Sequence, residues 1–249
     1  MTSATAQLII WLFPLAMIYA RVQACLLAMP GTGERLLPVR VRVGLALGLT
    51  PLFLGFAPAL TPATPAAAAA LIGAEMVTGL CIGLMVRLLA MALDIASTAL
   101  AQSASLSAML GLSEDMPPHP IGNLLHLAGL AIIMAMGLPL LICRLLADSF
   151  ALKPAGDWPQ IVAVWPLVSS LIVHSFTLAL LMASPFILGG LLFQMLSGVV
   201  ARVMPAMPVV FIAAPAAILL ALIALALLVP GILAIWGHDL MRFGLPEAL

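Results

Sequence analysis

Charge is what this chain has least of. Nine lysines and arginines face nine aspartates and glutamates across 249 residues, 7% charged against 65% hydrophobic. Soluble domains run at roughly 25% charged and 45–50% apolar. So few charged side chains cannot clothe a water-soluble protein of this length, and most of the surface must face lipid or other apolar protein. The formal net charge is zero, which removes the basic footprint that nucleic-acid binding needs. Cysteine is also scarce. Cys25, Cys81 and Cys143 stand far apart, each inside an apolar run, so they read as small buried hydrophobes rather than disulfide partners or metal ligands. Four scattered histidines, His119, His126, His174 and His238, have no carboxylate or cysteine at the helical spacing of a metal site. No phosphate-binding glycine loop and no nucleophile elbow is present. The expectation is no enzyme, no cofactor and no metal. No polar linker divides the chain either, so residues 1–249 read as one membrane domain. Met1 to Gln7 carries no positive residue ahead of its apolar run and no clear cleavage site, so no removable signal peptide is expected.

What is abundant is long apolar stretches. A helix needs about 20 mostly apolar residues to cross the hydrocarbon core. On that ruler the spans are Leu8–Met29, interrupted by Arg21 and Gln23, then Val43–Leu60 and Ala66–Leu93. Asp94–Leu112 follows as a run of small and hydroxyl residues, and Ser113–Pro120 forms a turn. Ile121–Cys143 is the next span, with a polar connection from Arg144 to Pro159. The remainder, Ile161–Ala183, Pro185–Val203 and Val209–Trp236, is nearly continuous and punctuated by prolines. Arg35, Arg40 and Arg42 cluster between the first two spans, which places Pro30–Arg42 in the cytoplasm by the positive-inside rule.

Two features do not suit a plain lipid-facing bundle. Prolines number 20, many inside apolar runs, and each removes a backbone donor and kinks or breaks a helix unless neighbours compensate. Asp94, Ser97, Thr98, Gln102 and Ser105 recur at three- and four-residue steps, so they share one helical face. In a membrane such a stripe points to a water-filled path or to another helix. Asn123 and His126, three apart, read as a packed polar pair.

Residues 28–46 run Ala-Met-Pro-Gly-Thr-Gly-Glu-Arg-Leu-Leu-Pro-Val-Arg-Val-Arg-Val-Gly-Leu-Ala. This stretch strongly resembles the FliR family of flagellar export-gate proteins and their injectisome counterparts, which follow an Ala-x-Pro with Arg-x-x-Pro-x-Arg-x-x-x-Gly-Leu-Ala. In this chain Arg35, Pro38, Arg40 and Gly44 stand at those positions. Glu75 with Gly79 and Gly83 resembles the family's Glu/Gln-leading helix, and Asp148-Ser149-Phe150 its Asp/Ser-x-Phe end of the central span. Arg202-Val203-Met204-Pro205, with Pro215 beyond, is similar to the Arg-x-x-Pro that opens the last hydrophobic segment. The set covers nearly the whole chain in order. Where many members have Gln-Met-Gly, this chain has Gln102-Ser103-Ala104, and where many have Asn-Gly-His it has Gly137-Leu138-Pro139.

The resemblance implies an all-α membrane protein of kinked helical hairpins, a FliP-like part at about 1–183 followed by a FliQ-like hairpin at about 184–249. It implies a non-enzymatic subunit that forms, with FliP-like and FliQ-like subunits, the entry of a type III secretion channel. FlhB-like and FlhA-like export components and unfolded export substrates are the further partners, beside membrane lipid. The implied place is the bacterial inner membrane, as a multi-pass protein of the flagellar basal body. The equivalent subunit of a virulence injectisome is the nearest alternative. A small-solute secondary transporter is another, and would need an internal inverted repeat and a midplane site. Met109, Glu114, Asp115, Met116 and Pro117 are the candidate plug, whose unbranched methionines suit a gasket; an ordinary exposed turn is the competing reading. Asp94, Thr98, Gln102 and Ser105 are the candidate lumen or interface face. Arg202, between apolar runs, is expected in a paired interhelical contact.

Overall fold

Backbone polar groups that cannot reach water must satisfy one another, and among the described residues every regular element is helical. The computed structural model describes residues 3–33, 37–57, 62–103, 120–203 and 209–245. The helices are α1 (Ser3–Ala28), α2 (Val39–Leu49), a 3-10 helix (Thr50–Phe56), α3 (Pro65–Ser103), α4 (Pro120–Met136), α5 (Leu138–Leu152), α6 (Ile161–Val203) and α7 (Val209–Met241). Among the described residues five helical stretches are long and apolar enough to cross a membrane: Trp11–Ala28, Val39–Phe56, Pro65–Leu100, Val162–Val203 and Leu219–Met241. Counting α4 with α5 as one broken span gives six. The protein is an all-α membrane protein.

Several expected boundaries are absent. The apolar span ending at Leu93 and the polar run from Asp94 belong to one continuous helix, α3. The helical hydrogen-bond ladder does not depend on which face is apolar, so a change of polarity along one face does not end a helix. Pro185 does not divide Ile161–Ala183 from Pro185–Val203, because both lie in α6. Pro14 lies within α1, and Pro215 and Pro230 within α7. The region from Arg144 to Leu152, expected as connection, is the second half of α5. The real break comes earlier, at Gly137, whose φ of 103° is left-handed backbone that a residue with a Cβ rarely adopts.

The chain forms two compact units. Unit 1 comprises Met1–Leu89, Gly137–Ile172 and Arg242–Leu249. Its core is built from Met17, Ile18 and Leu26 of α1, Met29 just after it, Ile82 and Met85 of α3, and Leu145 and Leu146 of α5, all buried. Unit 2 comprises Ala90–Met136 and Val173–Met241. Within it Leu100, Leu125 and Phe186 form a buried cluster covered by Ala224, Leu225, Val229 and Ile232 of α7.

Candidate functional site

The best-defined polar constellation lies in unit 1, on three helices and the turn after α5. Arg21 interrupts the apolar sequence of α1 and is completely buried, as is Glu75 of α3. A single desolvated guanidinium would be prohibitive, so every nitrogen must find an acceptor. Arg21 Nε donates to Glu75 Oε2 at 2.6 Å and Nη2 to Glu75 Oε1 at 3.2 Å, the two-pronged geometry that suits guanidinium and carboxylate. Its Nη1 donates to the carbonyls of Ser149 and Lys153, both at 3.1 Å, and to Ser149 Oγ at 3.4 Å. Ser149 lies in the last turn of α5 and Lys153 is its cap; the Ser149 carbonyl accepts the Lys153 backbone N–H at 3.0 Å as well, so its second lone pair takes the guanidinium. Glu75 Oε1 also accepts from the Gly156 backbone N–H at 2.7 Å. The pair therefore ties α1, α3, the end of α5 and the following turn.

Phe150 completes the site. The Arg21 guanidinium carbon lies 4.1 Å from the centre of its ring, within cation–π range. The same ring meets Phe53 at 5.6 Å and Phe56 at 5.7 Å between centroids, which brings in the 3-10 helix. Lys153 is the odd member. It is buried, yet among the described residues its Nζ reaches only Thr78 Oγ1, at 3.5 Å. Burial pushes its ammonium below lysine's usual value and the Arg21 charge adds to that, against the opposing pull of Glu75 and Asp157.

The α1–α3 approach that allows this depends on glycine. Glu75, Gly79 and Gly83 are spaced four apart and share a face of α3. A Cβ at Gly79 would strike the carbonyl oxygen of Arg21 itself, and one at Gly83 would sit 2.5 Å from the Cys25 oxygen and 2.6 Å from Ala28 Cβ. The small-x-x-x-small pattern here sets a close helix–helix contact, directly beside the ion pair.

Of the residues singled out in the sequence, Asp94 is half-exposed and pairs with His126, Oδ1 to Nδ1 at 2.7 Å. His126 thus meets a carboxylate from α3, while Asn123, its expected partner, is exposed. Ser97 and Thr98 hydroxyls both donate to the Asp94 backbone carbonyl, at 2.9 and 2.8 Å, so the stripe turns part of its polarity inward on its own helix. Gln102 lies in α3, its side chain undescribed. Ser105, Met109, Glu114, Asp115, Met116 and Pro117 lie outside the described residues, as do Arg35 and Pro205. Pro38 is the residue before α2 and, like Arg40 and Gly44, is exposed. No atom comes within 4 Å of a Cβ built on Gly44. Arg202 is exposed in the last turn of α6.

The Arg21–Glu75 cluster was not assembled from sequence, although Arg21, Glu75 and Ser149-Phe150 were each conspicuous. The usable signal was simple: Arg21, the one charged residue of its apolar span, and Glu75 in another span each need a partner. Among the described residues no group of three or more histidine, cysteine, aspartate or glutamate side chains could hold a metal ion.

Comparison with known proteins bears on the whole chain. A profile of the family described as "Bacterial export proteins, family 1" matches residues 12–243. The chain is 29% identical over 226 residues to "Flagellar biosynthetic protein FliR" of Caulobacter vibrioides, covering 89% of this chain and 90% of that protein.

Proposed function

The chain belongs to family 1 of the bacterial export proteins, and from that premise we propose that it is a non-enzymatic subunit of the flagellar type III export gate. In this reading it joins FliP-like and FliQ-like subunits around the entry of the secretion channel, beside FlhB-like and FlhA-like components. Residues up to about 183 supply a FliP-like part and those from about 184 a FliQ-like hairpin. Its place is the inner membrane at the flagellar basal body.

The observation that carries the assembly is helix length. α6 has 43 residues and α3 has 39, about 65 and 58 Å at a rise of 1.5 Å per residue. A hydrocarbon core is about 30 Å thick. Yet Val162–Val203 is strongly apolar on average over its 42 residues, and only 22% of it is buried within the chain. Lipid can cover about half of such a helix, and water is a poor neighbour for the rest. Other apolar protein must cover it, which is what an oligomeric gate provides and a lone transporter does not.

The channel itself would pass Asp94, Thr98 and Gln102 of α3 and Ser105 after it in sequence, with Met109–Pro120 closing it at rest. Co-expression with FliP-like and FliQ-like subunits is expected to give one complex by native mass spectrometry. Purification as a stable lone monomer that moves a small solute in liposomes would overturn the reading. Deleting the gene is expected to abolish motility; loss of effector secretion with motility intact would assign the chain to an injectisome instead. For the channel, a stalled export substrate is expected to crosslink to cysteines introduced as Ser105→Cys and Met116→Cys. Crosslinks confined to outer positions such as Leu227→Cys would exclude a lumen there.

A further inference from the structure

Arg87 of α3 is a cation of unit 1 that the buried site does not use. Apolar residues flank it from Leu84 to Ala90, and it is only partly buried. A charged side chain on an apolar helix needs a partner or a route to the surface. Arg21 has Glu75 and Arg144 has Asp148. Among the described residues neither Arg87 nor Arg40 of α2 makes a hydrogen bond or an ion pair.

Helix contacts put these two arginines at one end of unit 1. Gly79 meets Arg21 of α1, and Gly83 meets Cys25 and Ala28, so α1 and α3 run parallel. Arg87 follows Gly83 by one turn and stands level with the end of α1. The connection leads from that end into α2, and the 3-10 helix that continues α2 returns Phe53 and Phe56 to Phe150, beside Arg21. Arg40 therefore lies about 20 Å and Arg87 about 12 Å beyond the Arg21 level, in the same direction. Long arginine side chains that reach outward narrow this difference. Arg42 accompanies Arg40 and donates to the Leu37 carbonyl at 3.4 Å. Pro30–Leu45 carries three arginines against one glutamate, Glu34. With Arg87 the excess of positive charge at this end is three, however Glu34 is paired.

The surroundings select the partner. Val39–Phe56 is 18 apolar residues of which only 17% is buried within the chain. Eleven α-helical and seven 3-10 residues extend about 30 Å, the thickness of one hydrocarbon core. The charges of that stretch, Arg40 and Arg42, both stand in its first turn. Val39, Val41, Leu45 and Leu47 are exposed around them, and Leu80 and Leu84 are exposed within two turns of Arg87. A water-soluble acidic segment would match the charge and leave these apolar flanks wet. An anionic headgroup carrying acyl chains matches both. The arginine cluster also marks this end as cytoplasmic, the side whose leaflet carries anionic lipid. We propose that Arg40 and Arg87 form a collar that holds anionic phospholipid headgroups, the acyl chains lying along α2 and the open face of α3.

The test is native mass spectrometry of the full-length chain released from neutral detergent micelles, with phosphatidylglycerol and phosphatidylcholine added in equal amounts. The chain is expected to retain phosphatidylglycerol in preference. That preference should fall roughly five-fold for each arginine removed in Arg40→Gln and Arg87→Gln. Arg40→Lys with Arg87→Lys keeps both charges and should keep the preference, which separates loss of charge from misfolding. Arg202→Gln, which removes an exposed cation from unit 2, should leave it unchanged. Equal retention of the two lipids by the unaltered chain would overturn the proposal and leave the collar to a carboxylate of a protein partner. A preference that survives the double glutamine variant, or that Arg202→Gln abolishes equally, would overturn it too. No partner subunit and no export is involved, so its failure is distinguishable from failure of the gate reading.

Discussion

Units 1 and 2 have nearly the same apolar material and dispose of their charge in opposite ways. Unit 1 drives an arginine and a glutamate wholly out of solvent and answers every guanidinium nitrogen with an acceptor. Among its described residues unit 2 leaves Asp94 and Asp239 partly open and pairs them with histidines. A guanidinium does not titrate in any accessible range and an imidazole does. The buried pair is therefore all-or-nothing, since losing one member strands the other in a low dielectric. The open pairs are weak and adjustable. The first arrangement fixes one geometry, and the second contributes little to stability.

The sharpest way to break that contrast is at Glu75. Glu75→Gln strands Arg21 and removes a charge that offsets the burial of Lys153, and about 3–5 kcal/mol of stability should be lost, read as denaturant unfolding in detergent. Arg21→Met should cost less, because Lys153 remains to answer Glu75. The double substitution Arg21→Met with Glu75→Met should recover much of the loss; if the double is worse than either single, the pair stabilises outright rather than by mutual necessity. Next in size, Gly79→Ala should cost about 1–3 kcal/mol by forcing α1 from α3, whereas Gly44→Ala, with open space around it, should be neutral or gain up to about 1 kcal/mol. Equal effects at the two glycines would deny that close approach is what Gly79 provides.

Lys153 gives a smaller effect with a definite sign. Its ammonium is held below lysine's usual value, so the unfolded chain binds the extra proton and stability should climb as pH rises toward lysine's usual range. Lys153→Met should flatten that climb and raise stability at neutral pH, as read by thermal unfolding over a pH series. Smallest of all, Asp94→Asn should cost about 0.2–1 kcal/mol, and a loss as large as that of Glu75→Gln would erase the distinction between the units.

Much of the fold was legible because hydropathy reports the solvent directly. Leu8–Met29 coincides closely with α1, and Val209–Trp236 lies within α7. Proline was misleading. Pro14, Pro215 and Pro230 do not end their helices, because a membrane helix that stops midway exposes more unsatisfied backbone than one that bends past a missing donor. The break that does occur, at Gly137, was hidden because glycine is common in membrane helices and only its φ reveals the turn. The candidate site was legible in fragments. Glu75, Gly79, Gly83, Ser149 and Phe150 all sat in recognised motifs, but nothing in a one-dimensional pattern says that a carboxylate 54 residues from Arg21 shares its pocket.

By itself the sequence determined that this is a helical membrane protein with no room for a hydrated surface, since 7% charge leaves no other solvent available. It also settled family membership, carried by an ordered set of motifs along the chain. Only the tertiary structure decided which charges find each other. Ion pairing depends on distances of a few ångströms between side chains on different helices, and those are set by how glycine faces let backbones approach, not by where residues stand along the chain. In the same way the polar stripe beginning at Asp94 was visible as a helical face, but its histidine partner came from packing.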